Sequence, residues 1–238
     1  MLVSNRFVVI AAVFITCLIT SNIIAVKLID LGIGSFEIGG FEVPAPLPAA
    51  IIIFPLSYIF GDILTEVYGY RQARRVIWLG FLCNLIAVGA FWLAGLIPAF
   101  NSEYQIQVHD AYVFIFNYVP RVLAASFTAY LVGEFVNSFI LAKLKIRTGG
   151  RFLWSRTIGS TVVGQGLDTS IFIIIAFAGT LPGAVLGSMI LTHWVVKTLY
   201  EVVATPLTYA IVGYLKKKEG IDTYDYDTNF NPLLVAER

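Results

Sequence analysis

Apolar runs long enough to cross a bilayer recur along this chain, at roughly 7–29, 48–68, 76–97, 119–143, 157–179 and 184–214. A helix needs about 20 mostly apolar residues to span the hydrocarbon core. Only helices and closed barrels satisfy their backbone groups inside lipid. The runs are continuous, not alternating segments of about ten residues, which argues against a barrel. With 58% hydrophobic and 13% charged residues, the expected fold is an all-α polytopic membrane protein. Six transmembrane helices would form one domain over residues 1–218. The net charge of +1 gives no argument for a nucleic-acid partner. Cys17 and Cys83 lie inside apolar runs and imply neither a disulfide nor a metal framework.

Positive charge sets the expected orientation. Arg71, Arg74 and Arg75 separate spans two and three, and Lys143, Lys145, Arg147, Arg151 and Arg156 separate spans four and five. Arg6 precedes span one and Lys216, Lys217 and Lys218 follow span six, whereas the alternate connections lack Lys and Arg. Both termini are expected in the cytoplasm. The first run is too long for a signal-peptide core and reads as a retained span. In the fourth, Pro120 disfavours helix at the residue before it, so a short interfacial helix, "DAYVFIFNY", should precede the span. Two alternating triplets flank Gly39-Gly40 within residues 35–46, the pattern of an external β-hairpin. The polar segment 219–238 reads as a flexible cytoplasmic tail.

Charges left inside the spans carry the functional signal. Lys27, Arg121 and Lys197 are basic; Asp62, Glu66, Glu134, Asp168 and Glu201 are acidic. Each costs roughly 2.5–3.5 kcal/mol at a helix centre on insertion scales, so such groups mark a polar cavity, an ion path or a relay. Lys27 and Glu66 sit near membrane faces, where long side chains snorkel. Lys197 and Glu201, four apart, can neutralise each other, and Glu134 beside Gly133 fits a packing role equally well. Asp62, Asp168 and Arg121 need partners from another span or from a ligand. Acids outnumber bases, and an unpaired carboxylate in low dielectric stays protonated or holds a cation. Ser21, Asn22 and Gln165 add neutral polar groups, and aromatics such as Phe54, Tyr58 and Phe172 stand nearby. This set suits a planar polar solute better than a bare ion. Asp62 and Asp168 occupy similar places in the two three-span halves, a weak hint of an inverted repeat.

The stretches "SNIIAVK", "FPLSYIFGDILTEVYGYRQAR", "PRVLAASFTAY", "GQGLDTSIF" and "VKTLYEVVATP", in this order, resemble the VUT family of queuosine precursor transporters. The resemblance implies six helices in a fold similar to the substrate-binding component of energy-coupling-factor vitamin transporters. It implies import of 7-cyano-7-deazaguanine or 7-aminomethyl-7-deazaguanine by a solitary carrier, in a bacterial inner membrane, without cofactor or metal. Substrate-binding positions carried over are Asn22, Asp62, Arg121, Gln165, Asp168 and Lys197. Lys27, Glu66 and Glu201 would gate or relay protons. A homodimer is also implied, for which Ala124, Ala125 and Ser126 offer a small-residue interface.

The nearest rival is a substrate-binding subunit that needs an ATPase partner, although Phe14 and Ile15 after Ala11-Ala12 leave it a poor docking face. An intramembrane enzyme lacks support, because His109 and His193 belong to no zinc or nucleophile motif. Mixed-sign charges on several spans argue against a plain ion channel.

Overall fold

The computed structural model describes residues 4–29, 35–38, 41–44, 47–116 and 120–234. Among the described residues five helices are long and apolar enough to cross a membrane: α1 (Asn5–Ile24), α3 (Tyr70–Leu96), α5 (Pro120–Thr148, with its apolar stretch at Ala124–Thr148), α6 (Leu153–Phe177) and α7 (Gly183–Glu219). Helix α1 buries Ile10, Ala11, Phe14, Cys17, Leu18 and Ser21, the spacing of a single stripe. It ends at Ile24, earlier than the apolar run suggests. The chain then extends into β1 (Leu28–Ile29), which pairs with β4 (Leu47–Pro48). Between them β2 (Ser35–Ile38) and β3 (Phe41–Pro44) pair antiparallel, with Ile38 opposite Phe41; the expected Gly39-Gly40 turn lies outside the described residues.

The second apolar run is not one regular helix. A 3₁₀ turn (Ala49–Ile52) leads into α2 (Phe54–Ile63), which widens into a π turn at Leu64–Tyr68. Pro55 sits where a missing N–H costs nothing. Every residue from Gly61 to Tyr70 is buried. Irregular backbone at membrane depth is tolerated where protein surrounds it, and α1, α5 and α7 pack around this segment. Gly69 then breaks the chain sharply, with φ +83° and ψ 164°. A Cβ there would lie 2.7 Å from Thr223 Cγ2, so both conformation and space require glycine.

Helix α4 (Glu103–Phe116) starts earlier than the interfacial helix read from sequence and has no buried residue. It docks on the end of α3: Tyr112 donates to the Phe91 carbonyl at 3.1 Å, and the Phe116 ring lies 4.7 Å from that of Phe91. The break before Pro120 falls on residues 117–119, outside those described. Helices α5 and α6 cross closely at Gly133 and Gly164. A Cβ on Gly164 would meet Asn137 Cβ at 2.8 Å and the Gly133 carbonyl at 3.0 Å. Helix α7 runs for 37 residues with Pro206 inside it.

The segment after Glu219, expected to be flexible, is folded back instead as far as Leu234. Its Thr223 N–H reaches the Val67 carbonyl at 3.2 Å. Asp225 is buried and accepts the Tyr70 N–H at 3.0 and 3.2 Å, capping α3 from 155 residues away. Arg74 donates to the carbonyls of Asn229 and Asn231 at 2.9 and 2.8 Å, and Trp78 to that of Pro232 at 2.8 Å. Phe230 packs between Tyr70 and Phe139, with the Lys143 ammonium 4.0 Å from its ring centre. Polar composition hid this because each contact is made to a distant helix end.

Replacing Asp225 with Ala removes a carboxylate cap, worth about 1–2 kcal/mol at a helix N-terminus. Thermal unfolding in detergent should register that loss for Asp225→Ala and little change for the exposed neighbour Tyr226→Ala.

Candidate functional site

A cavity of about 440 Å³ opens between α1, the 3₁₀ turn and the start of α2, α5, α6 and α7. Its polar lining includes Ser21, Asn22, Asp168, Thr169, His193 and Lys197. Phe54, Tyr130, Phe172 and Phe177 supply aromatic walls, and Phe114 and Ile115 of α4 lie at its edge. Lys197 on α7 donates to Asp168 Oδ2 at 2.9 Å and to Thr169 Oγ1 at 3.3 Å, and its ammonium lies 4.4 Å from the centre of the Phe54 ring. The two side chains are 13% and 8% exposed, so this is a charge pair at a mostly apolar wall. The three residues come together because α6 and α7 are antiparallel neighbours and α2 enters beside them.

Of the residues singled out from sequence, Asn22, Asp168 and Lys197 therefore share one cavity. Gln165 lies three residues before Asp168 but is 1% exposed, and its Oε1 has no hydrogen-bond partner among the described residues. Asp62 does not line the cavity either. It is fully buried and accepts an N–H from Asn137 at 2.6 Å. Glu201 is buried nearby on α7, and its oxygens lack partners among the described residues. Arg121 sits apart, donating to the carbonyls of Ile175 and Ala178 at 2.5 Å each. A cation on the last carbonyls of α6 is a favourable C-terminal arrangement. Lys27 is exposed beyond the end of α1. In the small-residue stretch, Ala125 is buried within the fold and Ser126 lines the cavity.

Glu66 belongs to a second assembly at the other end of α2. Its Oε1 accepts from Lys216 at 2.6 Å and Arg156 at 2.8 Å, with Lys145 at 3.6 Å. Lys145 also reaches the Glu66 carbonyl, the Thr223 carbonyl at 2.7 Å and Asp222 at 2.6 Å, and Lys216 reaches Asp222 at 2.9 Å. Arg156 turns back onto the Arg151 carbonyl. Lys145 and Arg156 are each 1% exposed, although sequence reading left them among loop cations. Their spacing within Lys- and Arg-rich connections carries no sign of this; a signal existed only in Thr148 and Thr157, polar groups inside otherwise helical stretches. Arg6 at the start of α1 pairs with Glu219 at 3.3 Å, so this end also gathers the start of α1 and the end of α7.

The family model described as "Putative vitamin uptake transporter" matches residues 48–211. The chain belongs to this family. Its relatives include a "Probable queuosine precursor transporter" of Bacillus subtilis (strain 168), 28% identical over 163 residues, which cover 67% of this chain and 69% of that protein. A protein with the same description from Haemophilus influenzae is 26% identical, over 53% of this chain and 50% of its own length. The "Queuosine precursor transporter" of Escherichia coli (strain K12) is 26% identical over 52% of each chain. The matches thus span about half of these last two relatives. No solved structure matches significantly. Family and long apolar helices together make this vitamin-uptake relative a multi-pass membrane transport protein, not an enzyme.

Two measurements test this geometry. Lys197→Met leaves Asp168 at an apolar wall without its cation and should cost about 1–3 kcal/mol, reduced from a fully buried pair by the cavity's water access. Adding Asp168→Asn should restore most of that loss in a double-mutant cycle. At the other end, burial alone would raise the Asp222 carboxyl, but hydrogen bonds from Lys145 and Lys216 outweigh it and hold the group below its usual range. A depressed folded value stabilises above the unfolded value and is lost as pH falls through the folded one. The thermal stability advantage of wild type over Asp222→Asn should be full at pH 7 and shrink below about pH 4.

Proposed function

We propose that the chain is a solitary carrier of queuosine precursors, 7-deazaguanines such as 7-cyano-7-deazaguanine and 7-aminomethyl-7-deazaguanine, and that its uptake is proton-coupled. The observation carrying this reading is the Asp168–Lys197 pair set between aromatic walls in a small-molecule-sized cavity. Its volume falls within the roughly 300–1,000 Å³ of typical ligand pockets. A 7-deazaguanine presents a ring N–H beside an exocyclic amine, plus a carbonyl oxygen. Asp168 can accept the forked donors, as carboxylates do with other forked donors. Lys197 can donate to the carbonyl, and Asn22 can read a remaining edge. Phe54 and Phe172 offer faces on which a flat bicyclic ring stacks. The names of the relatives point to the same solute.

In this reading α1, the α2–π segment, α3, α5, α6 and α7 make six crossings. The end that holds Arg74, Lys145, Arg156 and Lys216 faces the cytoplasm, by the charge rule. The hairpin and α4 then lie on the outer side, next to the cavity's entrance. Gln165, Arg121 and Lys27 support the site from outside the cavity, and Asp62, Glu66 and Glu201 act below it.

Uptake of labelled 7-cyano-7-deazaguanine into proteoliposomes holding the purified protein alone tests the proposal. Wild type should show saturable uptake, stimulated by an inward proton gradient and abolished in Asp168→Asn. Guanine-like compounds should compete and adenine should not, since adenine would leave the buried polar groups unpaired. Equal competition by both would refute the binding mode. Binding without uptake would instead favour a subunit that requires an ATPase partner.

A further inference from the structure

Three carboxylates deep in the helical core take no part in lining the cavity: Asp62 on α2, Glu134 on α5 and Glu201 on α7, each at most 1% exposed. They are grouped. Glu134 Oε2 lies 3.0 Å from the place a Cβ on Gly61 would occupy, beside Asp62. Asp62 in turn lies within electrostatic range of Glu201 and Glu134. Asp168 and Glu66 have cations of their own. Among the described residues this trio has none.

A second observation identifies what the trio holds. Asn137, 0% exposed, donates to Asp62 Oδ1, yet its own amide oxygen is buried with no donor among the described residues. Asp62 Oδ2 and both oxygens of Glu134 and of Glu201 are in the same condition. A carboxylic acid would donate to such acceptors; a carboxylate would only add another. No three His, Cys, Asp or Glu side chains among the described residues are placed to hold a metal ion. Protons, which need no such ligand set, can supply the missing positive charge.

We propose that Asp62, Glu134 and Glu201 form a proton-carrying site, separate from the substrate cavity, which supplies the coupling proton. This rests on the carrier reading above. The connection to the cavity is Tyr58, whose hydroxyl is buried and unpartnered. A Cβ on Gly133, next to Glu134, would meet that hydroxyl at 2.5 Å and Asp168 Cβ at 2.8 Å. Tyr58 thus lies close to both Glu134 and Asp168, and Phe54, one turn earlier, lines the cavity. The relayed step balances: an O–H bond breaks on the donor carboxyl, Tyr58 accepts that proton and gives up its own, and an O–H bond forms on Asp168. Neutral Asp168 loses its attraction for Lys197 and its capacity to accept the solute's forked donors, so solute release follows proton arrival.

The groups facing the trio are Tyr58 and Glu66 from the α2–π segment, Tyr130 from α5, and Asp168 with its partner Lys197 from α6 and α7. From α3, Cys83 faces Tyr130, and from α1, Phe14 packs on Gly61 without a charge. Glu66 is held by three cations and is not a candidate donor.

Infrared titration of the purified full chain, compared with Glu134→Gln and Glu201→Gln, tests the site without any substrate. Wild type should show a protonated-carboxyl band at neutral pH that weakens in each variant. Its absence in wild type would overturn the proposal. In proteoliposomes, Glu134→Gln should bind 7-cyano-7-deazaguanine as wild type does and lose gradient-driven accumulation. Accumulation equal to wild type would overturn the coupling role. A wild type that shows the band but binds no 7-deazaguanine would leave the proton site standing and reject the substrate reading.

Discussion

A helix that changes its pitch inside a membrane must be wrapped in protein, because lipid offers nothing to its displaced backbone groups. The α2–π segment is such a helix, and the remaining architecture follows from sheathing it. Its burial is nearly complete from Gly61 to Tyr70. Its side chains can hold charge without meeting lipid. Asp62 and Glu66, one turn apart on it, face two different environments as a result. Asp62 turns toward Asn137 and the other buried acids, whereas Glu66 draws a cation from each of α5, α6 and α7.

Glu66 thereby fixes the relation of three long helices at one end. Truncating it would leave Lys145 and Arg156 buried without its carboxylate, an expensive kind of loss. Such a node gives conformational definition more than net stability. The folded-back segment extends it, since Asp222 shares Lys145 and Lys216, and Asp225 caps α3. Gly69 is the hinge point that lets the π turn end and α3 begin under that cap. One short sequence, "TEVYGYR", thus encodes an ion node, a turn and a helix start.

Hydropathy exposed the membrane class and the five long helices found among the described residues, one fewer than the six spans expected, because each depends on local composition. The pairing of Asp168 with Lys197 and Asn22 in one cavity was legible in outline, since a buried charge implies a partner. What stayed hidden was long-range. Lys145 and Arg156 resemble any loop cations until three helices converge on Glu66. Asp225 resembles a disordered acid until it meets the Tyr70 N–H. Sequence shows Asp62 as a charge in a span and not whether it lines the cavity, which the packing of α2 against α5 decides. Asn137 and Glu134 gave a signal, polar groups three apart beside Gly133, but its weight depends on how closely α5 and α6 cross.

Charge is distributed unevenly along the molecule's axis, and the unevenness has a mechanical meaning. The Glu66 node sets three cations against Glu66 and Asp222 and so carries excess positive charge. The cavity pair is neutral. Between them lie three acids without cations among the described residues. A proton entering that middle layer from the cavity side is attracted by the acids and repelled by the node beyond them. In the proton-coupled reading proposed above, the node would act as an electrostatic stop, letting protons collect beneath the cavity and resisting their leak to the Lys- and Arg-rich end while the helices stay closed around Glu66. Opening that end requires Lys145, Arg156 or Lys216 to separate from Glu66. In that proposed reading, the interaction that holds the fold together would also be the one that yields for a solute to leave.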